Sequence, residues 1–179
     1  MFKLIPTNLP GLLAIQPRIF SDPRGDFVKT FHAGLFHELG LDFEPREEFF
    51  STSAKGVVRG MHFQLPPAAH SKLVYCIAGS VLDVVVDLRK SSPTFGQSCS
   101  RELSAANREM FFIPVGFAHG FLALEDMAAM VYKTSTVHSP QQDAGILWDS
   151  CGFIWPVKNP QLSERDKKFP RLCDFASPF

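Results

Sequence analysis

Apolar residues along this chain recur in short runs, and the runs are cut by Gly, Pro, Asn and Asp. The runs fall at 12–19, 27–31, 57–63, 72–77, 81–88, 108–113, 117–124 and 128–134. Many short strands with frequent turn signals predict an all-β sandwich or barrel. Only two segments read as helical. Residues 33–39 place Leu35, Phe36 and Leu39 on one face. Ser163, with Asp166 three residues on, is a good N-cap for a short helical turn. No repeat or low-complexity linker divides the chain, so residues 1–179 read as one domain. Most of the 18 phenylalanines are assigned to the core.

Strand parity raises a question at 72–77. Lys72, Val74 and Cys76 share one face, and Leu73, Tyr75 and Ile77 share the other. Both faces are largely apolar, as in a barrel wall. Lys72 therefore either reaches solvent at the strand end or lies inside with a task.

Composition narrows the function. The formal net charge is zero, so nothing marks a nucleic-acid footprint, which needs a basic excess on one face. The longest apolar stretches are too short to span a bilayer, and the N-terminus has no long apolar core of a signal peptide. Cys76, Cys99, Cys151 and Cys173 form no C-x-x-C pair, which fits reduced thiols in the cytoplasm.

The candidate chemistry centres on His62. Gly56, His62, Gln64, Lys72 and Gly79 resemble the first cupin motif, and P-V-G-F-A-H at 114–119 matches part of the second. In that frame Gln64 replaces a histidine ligand and Lys72 an acidic one. An ammonium group repels a metal cation, so the frame predicts no metal and no other cofactor. A protein cation would instead stabilise negative charge developing on a substrate oxygen. Asp83 is a candidate partner for a cleft histidine such as His119, against the plainer reading of a solvated carboxylate near a turn. His32, His37 and His70 read as helix surface or loop.

The string G-V-V-R-G-M-H-F-Q at 56–64 resembles the G-V-L-R-G-L-H-Y-Q signature of dTDP-4-dehydrorhamnose 3,5-epimerases. Further matches follow in order: D-P-R-G at 22–25, K-L-V at 72–74, V-L-D-V-V-V-D-L-R at 81–89 and S-P-T-F-G at 92–96. I-P-V-G-F-A-H-G-F at 113–121, Y-K-T at 132–134, G-I-L-W at 145–148, I-W-P at 154–156 and L-S-E-R-D at 162–166 complete the series. The resemblance implies a cupin jelly roll with a few short peripheral helices, a homodimer that exchanges N-terminal strands, and a nucleotide-linked 4-keto-6-deoxyhexose as substrate.

It also implies roles. His62 corresponds to the general base, Asp166 to its carboxylate partner, Lys72 to the group facing the C4 oxygen and Tyr132 to the proton donor. Arg24 and Arg59 correspond to diphosphate-binding residues, and Phe20, Phe27 and His119 to other cleft positions. The departures cluster around the nucleotide. Glu47-Glu48-Phe49 stands where the family has Q-D-N, His138 replaces a tyrosine, and Asp143 a glutamate. Lys29 stands at a usually acidic position, and Arg165 where lysine is frequent. Glu47 can accept from an exocyclic amine, so these departures predict a nucleotide or sugar other than the usual dTDP-4-keto-6-deoxyglucose, with CDP- and GDP-linked sugars as candidates. Other readings are an epimerase of C3 or C5 alone, a 3,4-ketoisomerase, a non-catalytic sugar-binding cupin and, last, a metal-dependent oxygenase.

Overall fold

The structure, a computed structural model, describes residues 1–179. Thirteen strands form: β1 (Phe2–Pro6), β2 (Leu13–Pro17), β3 (Ile19–Asp22), β4 (Gly25–Val28), β5 (Glu47–Ser53), β6 (Val58–Gln64) and β7 (Lys72–Ala78). The rest are β8 (Ser80–Asp87), β9 (Ser98–Ser104), β10 (Met110–Ile113), β11 (Phe117–Ala123), β12 (Ala128–Thr134) and β13 (Asp143–Gly145). One helix, α1 (Ala33–Glu38), lies between β4 and β5. A six-stranded sheet runs β1-β2-β10-β7-β12-β5, and a five-stranded sheet runs β13-β6-β11-β8-β9. All of their strand pairs are antiparallel. The hairpin β3-β4 pairs only with itself.

Three apolar clusters explain why the strands are apolar on both faces. Between the sheets, Val74, Met130 and Phe111 meet Val81, Val85 and Phe121. Outside the five-stranded sheet, Val84, Val86, Ala118 and Leu122 are covered by Trp155 and by C-terminal side chains such as Phe175 and Phe179. Outside the six-stranded sheet, Leu73, Tyr75, Met110 and Val131 are covered by Phe36, Leu41 and Phe43. Parity in β7 therefore holds: Val74 and Cys76 face the inter-sheet core, and Leu73 and Tyr75 the outer one.

The expected strands all appear, with ends displaced by up to three residues, but β1, β3, β5, β9 and β13 lay outside the apolar runs. The reason is composition. β5 reads E-E-F-F-S-T-S and β9 S-C-S-R-E-L-S, edge strands whose outer faces meet solvent. The helix ends at Glu38, with Leu39 as its cap and His32 as N-cap, its Nδ1 accepting from the Leu35 N–H at 3.3 Å. The second helical segment is a single 3-10 turn, Asp166–Lys168, and Ser163 Oγ accepts the Asp166 N–H at 3.0 Å.

Candidate active site

One cleft of about 290 Å³ opens at the end of the sandwich between β5, β6, β7, β11 and β12. It gathers His62, Lys72, His119, Tyr132, Glu47, Arg59, His138, Asp143 and Arg165. Asp166 adjoins it through His62.

Two histidines face each other where β6 and β11 pair, since His62 and His119 are partners in register. The strands come close there because two glycines meet. Gly60 has φ +144°, and a Cβ on it would lie 2.6 Å from the Gly120 Cα. Beside His62, its register partner Gly145 leaves space for the Phe169 ring, which a Cβ would approach to 2.5 Å. Phe169 packs edge-on to the imidazole, 5.7 Å between centroids.

His62 Nε2 lies 2.9 Å from Asp166 Oδ1, and the Gly60 N–H donates to Asp166 Oδ2 at 3.3 Å. Burial lowers the His62 pKa and outweighs the opposing pull of Asp166, so the imidazole is neutral at pH 7. Burial tends to raise Asp166, but the hydrogen bonds from His62, Gly60 and Ser163 overcome it and hold the carboxylate ionised. A neutral imidazole oriented by a buried carboxylate is able to accept a proton as a general base.

Lys72 is not a solvent-reaching strand end. Its Nζ donates to the His62 carbonyl at 3.3 Å inside the cleft. Burial lowers its pKa to about 8, against the supporting charges of Asp143 and Asp83. At pH 7 the group is mainly ammonium, able to donate to an oxygen that enters the cleft.

Asp83 is fully buried, and its Oδ2 lies 2.8 Å from His119 Nε2. This is the pairing with His119 that the sequence raised, and the plainer alternative of a solvated carboxylate near a turn does not hold. Asp83 sits on the inward face of β8 between Val81 and Val85, and this burial raises its pKa.

Tyr132 is a cross-strand neighbour of Phe49, and their rings stack at 4.8 Å. Such a pair contributes about 0.5–1.5 kcal/mol beyond its buried area. The Tyr132 hydroxyl lies 3.2 Å from Ser51 Oγ, and burial raises its pKa, so it remains a proton-bearing phenol.

Arg59 crosses the cleft wall, donating from Nε to Ser53 Oγ and from NH2 to the Thr52 carbonyl, both at 3.0 Å. Glu47 is tied to the adjoining loop: its Oε2 accepts the His138 N–H at 2.7 Å. That oxygen is thus engaged by protein. Asp143 accepts from Arg165 at 2.7 Å, with His138 Nε2 3.6 Å away.

Three expected residues are not in this cleft. Phe20 and Phe27 pair across β3-β4, their rings 6.3 Å apart and exposed, while Arg24 forms an ion pair with Asp22 at the turn. The hairpin joins neither large sheet, so it reaches no cleft residue of its own chain.

His70, read from the sequence as loop surface, lines the cleft. Its neighbours fix its tautomer. Gln64 Oε1 accepts the Ser139 N–H at 2.6 Å, so Gln64 Nε2 donates, to the Ala68 carbonyl at 2.8 Å and to His70 Nδ1 at 3.0 Å. Burial lowers the His70 pKa to about 3, with Lys72 and His138 adding to the shift. Ser51 and Phe49 were also missed as site residues. The alternation Glu47, Phe49, Ser51 along β5 puts them on one face, once β5 is known to be a strand.

No group of three or more His, Cys, Asp and Glu side chains is placed to hold a metal ion. Both cleft imidazoles at the cupin-motif positions, His62 and His119, engage a carboxylate through Nε2.

A cupin jelly roll with this cleft defines a sugar-nucleotide epimerase of the isomerase class. The profile of the dTDP-4-dehydrorhamnose 3,5-epimerase family matches residues 6–174, and the chain belongs to that family. It is 48% identical over 175 residues to the dTDP-4-dehydrorhamnose 3,5-epimerase of Shigella flexneri, covering 96% of this chain and 97% of that one. It also superposes on the Bacillus anthracis dTDP-4-dehydrorhamnose 3,5-epimerase with TDP and PPi bound. That match has a TM-score of 0.93 and 38% identity, covering 96% of this chain and 99% of that one. The dTDP-6-deoxy-D-glucose-3,5-epimerase of Legionella pneumophila in complex with dTDP-4-keto-L-rhamnose gives 0.92 and 38%, covering 97% and 94%.

Proposed function

We propose that the chain inverts C3 and C5 of a dTDP-linked 4-keto-6-deoxyhexose by enolate formation. The carrying observation is that a neutral His62, paired to Asp166 at 2.9 Å, shares one cleft with Lys72 and Tyr132.

The C4 ketone makes the protons on C3 and C5 acidic, because the C–H electron pair can move onto the C4 oxygen. His62 takes the proton from carbon, and Asp166 stabilises the resulting imidazolium. Lys72 donates to the enolate oxygen as its charge develops. Tyr132 then returns a proton to the same carbon from the opposite face; its phenolate regains a proton from solvent, and the His62 imidazolium releases one to solvent, which resets both groups. Two protein groups on opposite sides of the sugar turn exchange into inversion.

Arg59 and Arg165 supply positive charge for the diphosphate, and His119 helps line the sugar site. Phe20, Arg24 and Phe27 would complete the cleft of a second protomer in a homodimer, and the exposed apolar face of β3-β4 supports this. The dTDP handle is favoured over CDP or GDP by the ligands bound to two relatives, TDP and dTDP-4-keto-L-rhamnose. Four free thiols accord with a reducing, cytoplasmic setting.

The test incubates the enzyme in deuterated buffer with dTDP-, CDP- and GDP-linked 4-keto-6-deoxyglucose and follows each carbon by NMR. Deuterium with inversion at C3 and C5 on the dTDP sugar is expected. Inversion at one carbon alone, or a higher kcat/KM for another nucleotide, would replace this reading.

A further inference from the structure

Tyr132 is held on three sides. Phe49, directly opposite on β5, covers one face of its ring, with 4.8 Å between centroids and 14° between planes. Ser51, two residues along the same face of β5, meets its hydroxyl at 3.2 Å. His119 approaches with its ring 6.2 Å away and tilted by 67°. Phe49 itself sits on the sheet edge, 46% exposed, and lines the cleft, while Tyr132 behind it is only 7% exposed.

We propose that Phe49 is a positioning residue for the proton donor: its stacked ring fixes the approach of the Tyr132 phenol and keeps water from that face. The inference rests on the reading of Tyr132 as donor and deepens it. The enolate has two fates. It can receive a proton from Tyr132 on the far face, which inverts the carbon. It can instead take one back from the His62 imidazolium, which restores the original configuration but carries deuterium if the imidazolium has exchanged with solvent. A phenol free to tilt, or shared with water, donates more slowly, and the return path gains.

The ratio of inverted product to deuterated, uninverted substrate reads this competition. Phe49→Leu keeps the site apolar but removes the stack, and Phe49→Tyr restores an aromatic face. With dTDP-4-keto-6-deoxyglucose in deuterated buffer, Phe49→Leu should lower the ratio about 2- to 10-fold, the size of one aromatic pair. Phe49→Tyr should recover most of the wild-type ratio. Thermal unfolding of each variant checks that it is folded.

A wild-type ratio in folded Phe49→Leu, or a raised KM with the ratio unchanged, would overturn the positioning role. The second result would make Phe49 a substrate platform only. Tyr132→Phe run alongside separates the two levels. If it inverts normally, the donor reading fails and the inference falls with it. If it loses inversion while Phe49→Leu keeps its ratio, only the inference falls.

Discussion

His62 and His119 stand opposite each other on paired strands, and each imidazole meets a carboxylate through Nε2, at 2.9 Å and 2.8 Å. They differ in access. The His62 side chain is 28% exposed and the His119 side chain 4%. The pair open to the cleft can exchange a proton with substrate and solvent; the buried pair is suited to holding its geometry.

His62→Ala should therefore abolish most deuterium exchange into the sugar while the protein stays folded. General acid–base catalysis contributes roughly 10²–10⁴-fold. Asp166→Asn should weaken the same step by less. NMR of the incubated sugar, with circular dichroism for the fold, measures both. Wild-type exchange in a folded His62→Ala protein would remove His62 as the base.

The pH profile of kcat/KM should be bell-shaped, with both limbs displaced. The acid limb reports protonation of His62, whose pKa burial has lowered, so activity persists below the ordinary imidazole range. The alkaline limb reports Lys72, whose ammonium is lost as pH rises through about 8. A profile that stays flat to pH 10 would show that the charge on Lys72 is not required.

Lys72→Ala should lower kcat on the order of 10²-fold, as loss of one oxyanion donor does. With the Lys72 cation assigned to the developing enolate, activity should also survive exhaustive chelation. Loss on chelation with recovery on adding one particular metal would refute the role assigned to Lys72.

Gly145→Ala tests the packing behind the base. The new Cβ would meet the Phe169 ring at 2.5 Å and the Met61 carbonyl at 2.7 Å, so something must shift. Overpacking of this kind costs about 1–3 kcal/mol. A lowered Tm together with reduced exchange at the sugar is expected. An unchanged Tm would mean that Phe169 moves aside freely.

The order of short apolar runs carried the all-β architecture, and the strings at 56–64, 72–74, 113–121, 132–134 and 162–166 carried the family and His62, Lys72, His119, Tyr132 and Asp166 as candidates. The strands rest on local periodicity and the site residues on resemblance to the family's motifs, and both are written residue by residue. The parity of β7 even posed the right question about Lys72. Its answer depended on how β7 sits against β6 and β11, which no local window contains.

Tertiary structure alone decided four things. It made a strand of the polar segment β5, because pairing with β12 supplies the hydrogen bonds that its composition did not advertise. It buried Asp83 against His119, since two strands 36 residues apart in sequence had to meet. It drew His70 into the cleft through Gln64, whose amide bonds both His70 and the distant Ser139. And it kept Phe20, Arg24 and Phe27 out of their own chain's cleft, because the hairpin that carries them pairs with neither sheet. Each outcome turns on contacts between distant segments. Sequence pattern records a residue's own burial and periodicity, but not which strand becomes its neighbour.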